Sequence, residues 1–295
     1  MSSGQSTFHL PSPYPRVSVQ LPPSLTSDEL LGFGPFTTWL STLQESLALQ
    51  QSNPSHPFFA SPYALRSINI QSVDHFRGGS DRKIGFLKLQ AEISNDDGQE
   101  LPGSIFLRGG SVSMLVVLRP SDVNPERSEY EDEACVILTV QPRIPAASLS
   151  FVELPAGMID QEGNFKGTAA KEIEEELSVK IEEHELIDLT KLALEEHPAP
   201  AGESGKTLKE KLQLAMYPSP GGSDEYMPIF YCSKHVARDQ LQSWEGKMTG
   251  LREHGEMISL RVVKLRNLWW AGARDSKCLS AYALYQELRA AGKIQ

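Results

Sequence analysis

Two segments constrain this chain more than any others: Val112 to Leu118 and Ala134 to Val140 are near-continuous apolar runs. A strand with one wet face alternates apolar and polar residues. A run apolar at almost every position needs cover on both faces, as a central strand has between two layers of helices. Both runs have strand length and fall far short of the roughly 20 residues of a membrane span. Further strands are expected at Leu186 to Leu189, Pro228 to Cys232 and Ile258 to Val262. Thr168 to Val179 reads as a helix. A C-terminal helix follows from Ala281, Leu284, Tyr285 and Leu288 on one face, with Gly292 as its stop. The acidic stretch Ser121 to Glu133 reads as a solvated hairpin loop, and residues 194–212 as a long loop. The reading is a mixed α/β domain over 106–295.

Residues 1–105 read as a smaller β-rich unit carrying a helix. The first 25 or so are rich in Ser and Pro and are expected to form a poorly ordered or extended arm. A helix begins near Pro35, with Phe36, Leu40, Leu43 and Leu47 as its apolar stripe. Ser67 to Ile70 and Ile84 to Leu89 form a hairpin around the Arg77 to Asp81 turn, and Asn95-Asp96-Asp97-Gly98 marks another turn. Trp39, Trp244, Trp269 and Trp270 are taken as packing residues.

Charge narrows the function. Among 295 residues, 38 are acidic and 28 basic, a formal charge of −10. That argues against a nucleic-acid partner gripped without regard to sequence, which needs a basic face. Three scattered cysteines (Cys135, Cys232, Cys278) show neither a disulfide framework nor a CxxC metal site. A reducing compartment fits. The N-terminus holds no apolar signal core and only Arg16 as a basic residue, so the expected location is cytoplasmic and the expected class non-membrane.

The chemistry lies around Leu154-Pro155-Ala156-Gly157 and the helix after it. On a helix, Glu172, Glu175 and Glu176 share one arc, while Ala169, Ile173 and Leu177 form another stripe that can pack on a sheet. Like charges so spaced destabilise a bare helix by roughly 0.2–0.5 kcal/mol per pair, and a cation reverses that cost. Hard oxygen donors suit Mg²⁺, or Mn²⁺. A Glu-rich helix taken alone is more simply a solvated acidic face.

From Gly157 to Val179 the spacing resembles the Nudix box, G-x5-E-x7-R-E-U-x-E-E-x-G-U with U aliphatic. Gly163 stands at the first Glu position beside Glu162, Lys171 replaces the Arg, and Ser178 replaces the terminal Gly. None of the three removes Glu172, Glu175 or Glu176. The resemblance implies a Nudix fold, a mixed sheet between helices. Arg108-Gly109-Gly110-Ser111-Val112, Gln141-Pro142-Arg143-Ile144-Pro145, Glu153 to Gly157, Tyr217 to Glu225 and Gly246 to Glu256 further resemble the ADP-sugar diphosphatase branch, closest to its plant-type ADP-glucose/ADP-ribose enzymes.

That resemblance implies metal-dependent hydrolysis of an ADP-sugar to AMP and a sugar phosphate. Glu172, Glu175 and Glu176, with the Ala156 carbonyl, would hold Mg²⁺. Glu225 would handle the attacking water, and Arg143 and Arg252 would contact substrate. Phe76 and Phe86 lie in the hairpin from which relatives clamp adenine, and a homodimer through the N-terminal unit is expected. Two alternatives stay open: hydrolysis of other nucleoside diphosphate derivatives such as NADH or dinucleoside polyphosphates, or a catalytically weak ADP-ribose-binding scaffold.

Overall fold

The computed structural model describes residues 6–76, 83–124, 129–159, 165–174, 180–196, 210–250 and 257–294. By contact they form two units, and the described segments 210–213 and 219–226 belong with the N-terminal one.

The N-terminal unit holds β1 (Ser6–His9), β2 (Ser18–Leu21), α1 (Ser27–Gly32), α2 (Gly34–Ser52), β3 (Ala64–His75), β4 (Ile84–Ser94), β5 (Glu100–Leu101) and β6 (Ser104–Leu107). Its sheet runs β1-β2-β3-β4-β5, with β6 also on β4. β4 alternates strictly enough to bury Leu87, Leu89, Ala91 and Ile93 on one face, against Leu30, Phe36 and Leu40 of the helices. The expected hairpin is β3 and β4, paired antiparallel; its turn lies outside the described residues. The helix from Pro35 is α2, with Phe36 and Leu40 buried and Leu43 and Leu47 packed beside them.

The expected loose arm is instead part of this core. β2 pairs parallel with β3, and Leu10, Val17, Val19 and Leu21 are buried. The prolines that made the arm look irregular sit in its turns, where the Pro11 and Pro22 carbonyls accept from Tyr14 and Leu25 N–H. The alternation of Val17 to Leu21 between them is a short strand signal.

The C-terminal unit holds β7 (Ser111–Pro120), α3 (Glu129–Glu133), β8 (Cys135–Arg143), β9 (Ser148–Glu153), β10 (Ala156–Met158), α4 (Phe165–Glu172), β11 (Ile187–Asp188), α5 (Leu189–Glu196), β12 (Ile229–Val236), α6 (Arg238–Trp244), β13 (Met248–Thr249), β14 (Ile258–Lys264), α7 (Leu268–Ala271) and α8 (Ser276–Ala290). The sheet order is β11-β12-β7-β8-β14-β13, with β10 on β7 and β9 on β8. Every residue of β7 is buried. Val112, Met114 and Val116 face Ala169 and Ile173, while Leu115 and Val117 belong to the core with Ala281 and Tyr285 of α8. Two-sided cover is why the run lacks alternation.

The described parts of the acidic stretch, 121–124 and 129–133, are more structured than a plain loop. It includes α3, and its carboxylates collect cations: Glu131 pairs with buried Arg119, Glu133 with Arg238 and Lys264, and Asp132 with Arg266. The strand expected at Leu186 shrinks to β11, because the Asp188 carboxylate accepts the Thr190 hydroxyl and Lys191 N–H and so starts α5. Trp244 is buried, but Trp269 and Trp270 are 56% and 50% exposed, so neither is a core packing residue. Among the described residues no helix is long and apolar enough to cross a membrane.

Candidate active site

In the C-terminal unit the turn at 154–156 is pinned from both sides. Pro155 carbonyl accepts from Met114 N–H at 3.0 Å, and Leu154 N–H donates to Asp275 Oδ2 at 2.9 Å. Ala156 then pairs with Ser113 across β10 and β7. α4 packs against β10 and β7, seating Ala169 and Ile173 in the core. The helix bearing Glu172 is thus anchored beside the strand that carries the Ala156 carbonyl. Glu175, Glu176 and the Glu172 side chain lie outside the described residues, as does Arg252. Among the described residues no three His, Cys, Asp or Glu side chains form a metal-binding group.

Arg143 ends β8 just past a register irregularity with β9. Its Nε donates to Glu153 Oε1 at 2.6 Å; the Arg143 side chain is 41% exposed and that of Glu153 only 3%. The other Glu153 oxygen takes Lys277 Nζ at 2.8 Å, and the same ammonium reaches Asp275 Oδ1 at 3.0 Å. Asp275 also caps α8 through Lys277 N–H and accepts from the Cys278 thiol. Burial works to lower the Lys277 pKa, but Asp275 and Glu153 outweigh it and hold it above the ordinary lysine value. Burial, reinforced by Asp275, pushes the Cys278 thiol up and keeps it protonated.

In the N-terminal unit a second group forms around the segment 219–226. Phe106 N–H donates to the Gly222 carbonyl at 2.8 Å, and Ser223 bridges Phe106 in parallel. The Asp224 carboxylate accepts Arg108 N–H at 2.7 Å and Gly109 N–H at 3.1 and 3.2 Å. Gly109 has φ +78°, and a Cβ there would lie 2.7 Å from Pro35 Cγ, so glycine is required. Burial raises the Asp224 pKa, against the pull of the Arg108 and Gly109 amides. Glu225, beside this anchor, pairs with Arg108 Nη1 at 3.4 Å and is 13% exposed, not a free surface carboxylate.

Phe76 and Phe86 meet edge to face at 5.6 Å, and Phe86 stacks on Phe106 at 5.4 Å. Gly85 lets Phe76 cross the strand, since a Cβ there would lie 3.2 Å from its ring. Phe76 is 48% exposed. Sequence reasoning missed Phe106, Arg108 and Asp224 as partners of this cluster, although the Arg108-Gly109-Gly110 signal was there. It also missed Glu153, Lys277 and Asp275; for Asp275 the cue was an N-cap residue just before a helix.

No model of a known protein family matches the chain. It is 33% identical over 261 residues to Nudix hydrolase 14, chloroplastic, from Arabidopsis thaliana, an alignment covering 88% of this chain and 72% of that protein. The chain belongs to the Nudix hydrolase family. Its fold is therefore a Nudix fold with an N-terminal unit, and its class that of a hydrolase. A solved structure titled as an ADP compounds hydrolase is similar over 78% of this chain and 99% of that one, with TM-score 0.39 and 15% identity. The family assignment rests on the sequence relative.

Proposed function

We propose that this Nudix hydrolase cleaves the diphosphate of ADP-sugars such as ADP-ribose and ADP-glucose, giving AMP and a sugar phosphate with a divalent cation, Mg²⁺ or Mn²⁺. The observation that carries the reading is the box from Gly157 to Val179 whose helix packs against the strand of Ala156. Glu172, Glu175, Glu176 and the Ala156 carbonyl are all hard oxygen donors, the set such a cation takes. A cation held there would neutralise phosphate charge and acidify a water for in-line attack.

The protein's own groups divide the remaining work. Arg143 binds a phosphate oxygen through its fork, and Arg252 serves as a second substrate contact. Glu225 orients the attacking water and takes its proton; the Asp224 anchor keeps its loop in place. Phe76 and Phe86, with Phe106, offer an apolar wall to adenine. The N-terminal unit joins two copies into a homodimer. The free, buried thiols of Cys135, Cys232 and Cys278 accord with a reducing compartment such as the cytoplasm.

Purified protein with Mg²⁺ and, separately, ADP-ribose, ADP-glucose, NADH and diadenosine polyphosphates tests the reading. AMP appears first from the ADP-sugars. Faster turnover of NADH or the dinucleotides reassigns the substrate, and binding without turnover favours a scaffold.

A further inference from the structure

The polar group beneath Arg143 is built more elaborately than an ordinary helix anchor. Two carboxylates and an ammonium are withdrawn from water, with Glu153 and Asp275 side chains each 3% exposed and Lys277 11%. Each oxygen of the two carboxylates has a donor. Glu153 accepts from Arg143 and Lys277; Asp275 accepts from Leu154 N–H, Lys277 and the Cys278 thiol. Such desolvation is costly unless the geometry is held, and removing one partner strands a buried charge. Arg143 closes the chain at its solvent end. It uses Nε, and among the described residues its terminal nitrogens have no other partner. The edge that grips an oxyanion with two parallel bonds is therefore left for a ligand.

We propose that Lys277 is a positioning residue: fixed by Asp275 at the start of α8, it holds Glu153, and Glu153 aims the Arg143 guanidinium at a substrate phosphate. This rests on the reading of Arg143 as a phosphate contact. The physical reason is entropy. A half-exposed arginine carries rotamer freedom that binding must remove. Holding it ready through a rigid, buried carboxylate lowers that cost in the free enzyme. The C-terminal helix thereby sets phosphate affinity from a distance, and the same Asp275 steadies the Leu154 end of the turn that precedes Ala156.

A purely structural network would change stability without touching phosphate affinity. The experiment compares wild type, Lys277→Met, Lys277→Arg, Arg143→Ala and the Lys277→Met/Arg143→Ala double variant, measuring kcat and KM for ADP-ribose with Mg²⁺, and Tm. Lys277→Met is expected to raise KM about 10- to 100-fold, the range seen when the group behind a metal-ligating residue is removed, with a smaller change in kcat. Lys277→Arg, which keeps the cation, recovers part of that loss. In the Arg143→Ala background the extra KM effect disappears while the drop in Tm remains. An unchanged KM in folded Lys277→Met, or KM effects that multiply with Arg143→Ala, overturns the proposal. Should Lys277→Met not fold, Glu153→Gln takes its place with the same expected rise, and an unchanged KM there is equally fatal. A wild-type protein that leaves ADP-ribose intact overturns the ADP-sugar reading itself, and the positioning role with it.

Discussion

At the residue scale, Glu225 and its neighbour Asp224 look alike in sequence but are held differently. Asp224 turns its carboxylate to the amides of Arg108 and Gly109 and serves the loop. Glu225 pairs with the Arg108 side chain at 3.4 Å, a longer contact than a bidentate pair. Glu225→Gln is expected to reduce kcat by roughly 10²–10⁴-fold, with KM for the ADP-sugar and the Mg²⁺ requirement near wild type. Steady-state rates titrated with metal check it; partial rescue by excess Mg²⁺ would make Glu225 a metal ligand, and an unchanged kcat would remove it from the mechanism.

At the scale of elements, α8 is the piece whose start matters most. Its cap, Asp275, is buried and holds Leu154 N–H as well as its own first turn. Ordinary caps are worth about 0.5–2 kcal/mol, and a stranded buried amide costs about 1–3 kcal/mol more. Asp275→Ala is therefore expected to lower stability by about 2–5 kcal/mol in urea unfolding; a loss under 1 kcal/mol would mean the turn at 154–156 does not depend on it. The contrast between elements shows what a sequence makes legible. β7 and β8 were readable because burial on both faces leaves an uninterrupted apolar run, and α2 because one-sided burial leaves a stripe. β2 was hidden by the prolines in its flanking turns. α5 was hidden because its start depends on Asp188, whose role as a cap is not distinguishable in sequence from a turn residue. The apolar stripe of Ala169 and Ile173 was legible since helical spacing is local. The link from Arg143 through Glu153 to Lys277 was not, because it joins residues far apart in the chain through contacts no local pattern encodes.

At the scale of the whole molecule, acid sensitivity follows from surface ion pairs. Hydrogen bonds from Lys264 and Arg238 hold Glu133 below its ordinary value of 4.5. A carboxylate depressed by folding adds stability at pH above that value and loses it as pH falls through the lowered pKa. Melting curves from pH 7 to pH 3 should show a shallower acid decline for Glu133→Gln than for wild type; parallel curves would deny the group a part in acid unfolding. Light scattering is expected to give twice the chain mass of 32.6 kDa, and a monomer across micromolar concentrations would contradict the dimer. The proposed function rests above all on the glutamate helix as the seat of phosphoanhydride hydrolysis. The direct measurement is AMP release from ADP-ribose with Mg²⁺ by wild type, Glu175→Gln and Glu176→Gln, each verified as folded by circular dichroism. Wild-type turnover that falls by orders of magnitude in both variants is the predicted result, since a neutral amide cannot hold the cation. Near-normal AMP release by both would mean that this helix does not hold the catalytic cation.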